Sequence, residues 1–264
     1  MTYNGLLRYI QGGIGLVLFL ALWHVASTTG LFGRIDPEYS LLLLPTPETV
    51  LKAIVETFQD GTLWGNVSVS IIRVAIGFGL AVLIGIPLGL GMALSPSCNN
   101  FAEPFVRIFS PIPGIAWVPL AILWFGLGDK AAIFIITLGS IFPIVINTVQ
   151  GVRDVDAHLV DAARMMGAGH LQVLRRVMLP SVIPYLVTGF RIGLGFAWRV
   201  VIAAEMVGVP KGIGYMLGVG RSTGRTDITI VTMVTLGVLM LVVEELVFAP
   251  LENRTRFWRR SVAV

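Results

Sequence analysis

The chain has 264 residues, of which 55% are hydrophobic and only 13% charged, the latter being about half the usual charged fraction of a soluble domain. Together with a mean hydropathy of +0.85, this leaves too little polar surface for a water-soluble fold and excludes a soluble enzyme or nucleic-acid binder. Nineteen Lys and Arg against 15 Asp and Glu give a net charge of +4, a small excess that bears on membrane orientation and not on polyanion binding.

A membrane helix needs about 20 largely apolar residues. Taken in chain order, the runs that qualify are Ile10 to Thr29, Val67 to Ala93, Phe105 to Leu127, Ala131 to Val149, Val182 to Val207 and Ile228 to Phe248. The expectation is an all-α polytopic membrane protein with about six spans. The first run is too long for a secretory signal and lacks a small-x-small cleavage site, so it is read as an uncleaved span. Between it and the second, Thr46 is placed to cap a helix and Pro47 to open it. Val50, Leu51, Ile54, Val55 and Phe58 then recur at helical spacing, which predicts an amphipathic helix over 44–61 at the outer interface. The third run carries Pro111, Pro113 and Pro119. Each removes a backbone donor and clashes with the preceding turn, so this span is expected to be broken and shielded inside the bundle.

The loops set orientation. Six spans place both termini on one side together with 94–104 and 150–181. That side holds Arg8, Arg153, Arg164, Arg175, Arg176, Arg254, Arg256, Arg259 and Arg260, against Arg34, Lys52, Lys130, Lys211, Arg221 and Arg225 opposite. The bias predicts cytoplasmic termini. The domain expectation is a first span plus outer amphipathic helix over 1–66, a core over 67–255 containing the cytoplasmic loop 150–181, and a cytoplasmic tail over 256–264.

From Gly151 to Pro184 the sequence is too polar to span and too patterned for a linker. Leu159, Val160, Ala163 and Met166, then Leu171, Val173 and Leu174, form apolar faces of two short helices, broken at Gly167-Ala168-Gly169. Asp161-Ala162-Ala163, three residues, Gly167, nine residues, then Val177-x-Leu179-Pro180 resembles the E-A-A-x3-G-x9-I-x-L-P signature of ABC importer permeases. Asp161 replaces Glu and Val177 replaces Ile. The stretches Ser70 to Ser95, Pro111 to Val152 and Thr188 to Gly208 resemble the subgroup that imports nitrate, sulfonates, taurine and related anions, so that the likeness covers most of residues 40 to 255.

The resemblance implies the type I ABC importer permease fold in a bacterial inner membrane. It also implies a transport subunit, not an enzyme, that works with two ABC ATPase subunits, an external substrate-binding protein and a second permease copy, expected to be identical. Asp161, Ala162, Ala163, Gly167, Ala168, Gly169, Leu179 and Pro180 would form the ATPase-coupling segment. ATP and Mg would belong to the partner ATPase, with no cofactor or metal bound by this chain and no catalytic residue on it. Independently, no G-x-x-x-x-G-K-[ST] stretch accompanies the three lysines, Lys52, Lys130 and Lys211, so this chain has no such phosphate-binding loop.

Arg191, Trp198, Arg199 and Glu205 fall in the fifth run, where an ionisable group costs at least about 2.5–3.5 kcal/mol at the bilayer centre. Arg191 and Arg199 lie about 80° apart around a helix and about 12 Å along it. Two readings stand side by side. Either this face borders a path for an anion, with Glu205 near its outer end, or Arg191 pairs with Glu244 or Glu245 and fixes helix packing. Arg73 is expected to snorkel to the interface. The pairs Gly85/Gly89 and Gly189/Gly193 are read as helix-packing devices. A stand-alone secondary transporter or channel is the rival, although no internal repeat of the kind common in such transporters is evident.

Overall fold

The computed structural model describes residues 3–29 and 43–252. Arg34, Arg254, Arg256, Arg259, Arg260 and the tail at 256–264 lie outside the described residues, as does the side chain of Arg8. Every described element is helical: α1 (Tyr3–Thr28), α2 (Pro47–Gln59), α3 (Thr62–Leu94), α4 (Pro96–Phe109), a 3-10 turn (Gly114–Trp117), α5 (Val118–Phe125), α6 (Asp129–Arg153), α7 (Ala157–Met165), α8 (His170–Val173), α9 (Leu179–Gly208), α10 (Ile213–Ser222) and α11 (Thr226–Val243). Among the described residues, four helical stretches are long and apolar enough to cross a membrane: Thr62–Leu94, Asp129–Arg153, His170–Gly208 and Thr226–Glu252. Pro96–Phe109 and Gly114–Phe125, bent by 94° at the break between them, make a fifth where the pair is counted as one span. The described apolar part of α1, Gly13–Thr28, is shorter. The six expected runs are all helical, and the proline-rich one is the broken one.

The chain divides into two compact units, one of residues 1–66 and 216–235, the other of 67–215 and 236–264. In the first, Thr46 caps α2 through its hydroxyl, which accepts from Thr49 N at 3.3 Å, and Pro47 opens the helix. Val50 and Ala53 are buried with Met216 and Val231, and Trp23 and Ile54 pack around them. The expected apolar face of α2 is therefore split. Leu51, Val55 and Phe58 are more than half exposed, because the apolar arc is too wide for one contact and the helix seats its Val50–Ala53–Thr57 side instead.

The second unit is organised by α6 against α9 and α3. Gly77, Gly85 and Gly89 recur at four- and eight-residue spacing on α3, and a Cβ on them would meet Ile136 at 2.7 Å, Ile144 at 3.0 Å and Thr148 at 2.6 Å on α6. On α9, Gly189 and Gly193 face α6 in the same way, within 3.0 Å of Asn147 and 3.1 Å of the Ser140 carbonyl. With little hydrophobic drive between helices in lipid, close backbone approach supplies the attraction.

Two π turns, Leu174–Met178 and Glu244–Phe248, follow one rule. Each ends two residues before a proline, ahead of Leu179-Pro180 and Ala249-Pro250. A proline ring clashes with the carbonyl four residues back, and the wider turn relieves the clash: Leu179 N donates to Leu174 O and Ala249 N to Glu244 O. The second short helix expected in the 151–184 loop is consequently not a free element. It runs through the π turn into α9.

Candidate functional site

The segment between α6 and α9 is built to present a short helix. Asp156 caps α7, its carboxylate accepting from His158 N at 2.8 Å. At the other end Gly167 takes φ +82°, with Ala168 N donating to Ala163 O at 3.0 Å and Gly167 N to Arg164 O at 2.9 Å. These two bonds are a Schellman close, which requires the left-handed position a glycine fills at least cost. Ala163 is buried, whereas Asp161 and Ala162 are exposed, and Met165 and Met166 are 84% and 82% exposed. Gly169 forms the N-cap of α8, its N–H donating to Gln172 Oε1 at 3.1 Å. Leu179 and Pro180 begin α9.

A second cluster is buried at the opposite end of α6. Glu205 on α9 is 0% exposed and Arg73 on α3 is 5% exposed. Arg73 Nη1 donates to Glu205 Oε1 at 2.8 Å and to the Lys211 carbonyl at 2.6 Å, and its Nε donates to Asp129 Oδ1 at 2.8 Å. Ser70 Oγ lies 2.8 Å from both Glu205 oxygens and accepts from Ile213 N at 2.8 Å, while Gly214 N donates to Glu205 Oε2 at 2.9 Å. The Ser70 hydroxyl and the Glu205 carboxylate thus satisfy the first two N–H groups of α10, those of Ile213 and Gly214, which would otherwise be orphaned. Gly212 (φ +134°) and Gly214 leave room, since a Cβ on Gly212 would run into the Glu205 carboxylate and one on Gly214 would lie 2.7 Å from Glu205 Cβ. Arg73 is not a snorkelling residue, as its position near a span end had implied. A buried carboxylate one helix away holds the guanidinium inside.

The remaining charges of α9 differ. Arg191 is half exposed and pairs with Glu244, with Nε to Oε2 at 3.2 Å, and with Glu252, with Nη1 to Oε1 at 2.8 Å. Glu244 is one of the two carboxylates expected as partners of Arg191, and Glu252 is a further one. Trp198 is 5% exposed, and among the described residues its indole N–H has no hydrogen-bond partner. Arg199 is exposed; its guanidinium lies 5.7 Å from the centroid of the Phe196 ring, a cation–π contact, and among the described residues it has no carboxylate in ion-pair range. Phe196 also lines a cavity of about 320 Å³ together with Trp117, Phe142 and Val200, at the 3-10 break between α4 and α5. Val200 holds that break in place, because Gly114 lies against its side chain too closely for any Cβ.

Residues 81–249 match the family described as the inner membrane component of binding-protein-dependent transport systems. The chain belongs to this family. The permease is 32% identical over 261 residues to the taurine transport system permease protein TauC of Escherichia coli, covering 97% of this chain and 92% of that one. It is 31% identical over 252 residues to the bicarbonate transport system permease protein CmpB of Synechococcus elongatus, covering 92% and 87%. Its fold is similar to that of a chain from the inward-facing MetNI methionine ABC transporter, with a TM-score of 0.60, 23% identity and coverage of 77% and 98%. The protein is thus a multi-pass inner-membrane permease subunit of an ABC transporter, a transport component and not an enzyme, and family membership disfavours the stand-alone transporter or channel.

Of the residues expected along a path, the permease brings Trp198 and Glu205 inside its packed unit and leaves Arg199 on its surface. Sequence reasoning missed Ser70, Asp129 and Gly212. The available signal was Glu205 itself: a carboxylate within an apolar run demands a cation and N–H donors, and Ser70-x-x-Arg73 puts a hydroxyl and a guanidinium on one helix face.

Proposed function

We propose that this permease imports a small anion of the sulfonate, taurine, nitrate or bicarbonate kind, delivered by an external binding protein. The observation that carries this reading is Arg199, a cation in a membrane-spanning helix that no carboxylate of the described chain neutralises. An unpaired intramembrane cation is costly unless it faces a watered path or a counter-charge. The relatives whose names specify taurine and bicarbonate support the same class of solute. Arg199 supplies the attraction, and the aromatic cavity beside Phe196 gives a solute with an organic body an apolar wall.

Two ABC ATPase subunits, which bind and hydrolyse Mg-ATP, dock on the segment from Asp161 to Gly169, with Leu179 and Pro180 carrying its movement into α9. A second, identical permease copy completes the path. Closure of the ATPases drives rigid-body switching between inward- and outward-facing arrangements. Both termini and 150–181 are cytoplasmic; residues 1–66 supply an accessory span and outer helix, and 67–255 the permease core. Support for the docking role comes from the exposed Met165 and Met166 at the tip of α7, since large exposed apolar side chains beside a rigid helix end mark an interaction surface.

Reconstitution with candidate ATPase and binding-protein subunits in proteoliposomes tests the reading. ATP-dependent uptake of a labelled anion from the panel is expected, and uptake that persists without ATP or without the ATPase would overturn it. Reporter fusions after Asp60 and after Asp156 should report opposite sides of the membrane; the same side for both would overturn the topology.

A further inference from the structure

A second cavity, of about 290 Å³ and with one polar wall, lies between α4 and the last turns of α6, at the end of α6 that leads into the 150–181 segment. Its polar wall holds Asn99, Glu103, Arg107, Gln150 and Arg153. The internal bonding of this wall is uneven. Glu103 is engaged by Arg107 Nη2 at 3.0 Å and by Asn99 Nδ2 at 2.8 Å. Asp154, next to Arg153 in sequence, is taken by Gln150 Nε2 at 2.9 Å and by the Tyr185 hydroxyl at 2.8 Å.

Arg153 meets neither carboxylate within ion-pair distance. Its Nη2 donates to Asn99 Oδ1 at 2.9 Å, so the Asn99 amide stands between the guanidinium and Glu103, accepting from one and donating to the other. An amide in that position orients the arginine without neutralising it. A guanidinium has five N–H donors in a planar fork matched to an oxyanion, and among the described residues one bond to a neutral partner accounts for Arg153. The floor of the same cavity is apolar: Met92, Val145 and Val149 belong to a buried cluster.

We propose that this cleft is an anion site at the coupling-segment end of the permease, distinct from Arg199, that takes a small organic oxyanion. The sulfonate or carboxylate head sits on Arg153 and Arg107 and the short apolar body on Met92, Val145 and Val149. The nature of the occupant rests on the anion-import reading; the site itself rests on the geometry of the cleft.

The test is calorimetric titration of ethanesulfonate into the assembled permease–ATPase complex in phosphatidylcholine nanodiscs. Binding is expected, weakened about tenfold or more by Arg153→Gln, as befits loss of charge-assisted bonds. Arg153→Lys should retain part of the affinity, Arg107→Gln should weaken it less, and Arg199→Gln should leave this binding event in place. If Arg153→Gln does not assemble, Arg107→Gln carries the test. Absence of binding in the unmodified complex, or binding unchanged in both the Arg153 and Arg107 variants, overturns the site. Exclusion of ethanesulfonate when phosphatidylglycerol is included would assign the cleft to a lipid headgroup and overturn the soluble occupant. Loss of ATP-driven uptake with Arg153-dependent binding intact would count against the import reading alone.

Discussion

Two positions less than two turns apart on one helix treat charge in opposite ways. Near the C-terminus of α9, Glu205 is sealed from solvent and surrounded by a guanidinium, a hydroxyl and a backbone N–H at 2.8–2.9 Å. Six residues earlier, Arg199 sits on the surface with its guanidinium against the Phe196 ring. A buried ion whose bonds are all made is an architectural element, expensive to disturb and of no use to a passing solute. An exposed cation without a counter-charge contributes little to packing and is available for binding. Within one span, then, sequence position says less about role than the bonding around the group does.

Breaking the sealed cluster should have the largest effect. Glu205→Ala leaves Arg73 buried beside an empty site and the Gly214 N–H of α10 without an acceptor, a loss of about 3–5 kcal/mol by analogy with broken buried pairs. The expected result is failure to recover assembled complex by size-exclusion chromatography. Gly212→Ala follows, because its φ of +134° and the adjacent Glu205 carboxylate both reject a Cβ. A cost of about 1–3 kcal/mol should appear as a lowered melting temperature of the complex.

At the exposed position, Arg199→Gln should leave the melting temperature within the scatter of the unmodified complex while reducing anion uptake severalfold. Arg191→Gln sharpens the contrast from the other side. Its bridges to Glu244 and Glu252 are half exposed, and such pairs contribute about 0–1 kcal/mol, so a small loss of stability with uptake retained is the expected outcome.

Much of the fold was legible because lipid enforces simple rules. The apolar runs became helices, and Thr46-Pro47 opened α2 as their chemistry requires. Pro111 and Pro113 broke the third run for lack of donors. The signature at Asp161–Pro180 was legible as spacing, and the Schellman close at Gly167 supplies its physical reason. What could not be read was partnership across helices. Nothing local to Arg73 distinguishes a snorkelling arginine from one held by Glu205, which lies 132 residues away. Likewise, the apolar arc of α2 did not reveal which flank would be covered, because Val50 and Leu51 look alike until Met216 and Val231 meet one of them. The π turns were encoded by Pro180 and Pro250, yet a proline alone predicts a disturbance and not its form.

The contrast between Glu205 and Arg199 on α9 is tested most directly by ATP-driven anion uptake normalised to assembled complex, measured for Arg199→Gln beside the unmodified permease. The expected result is normal recovery of complex with uptake per complex reduced severalfold. Uptake per complex equal to that of the unmodified protein, or a fall fully explained by lost assembly, would contradict the account.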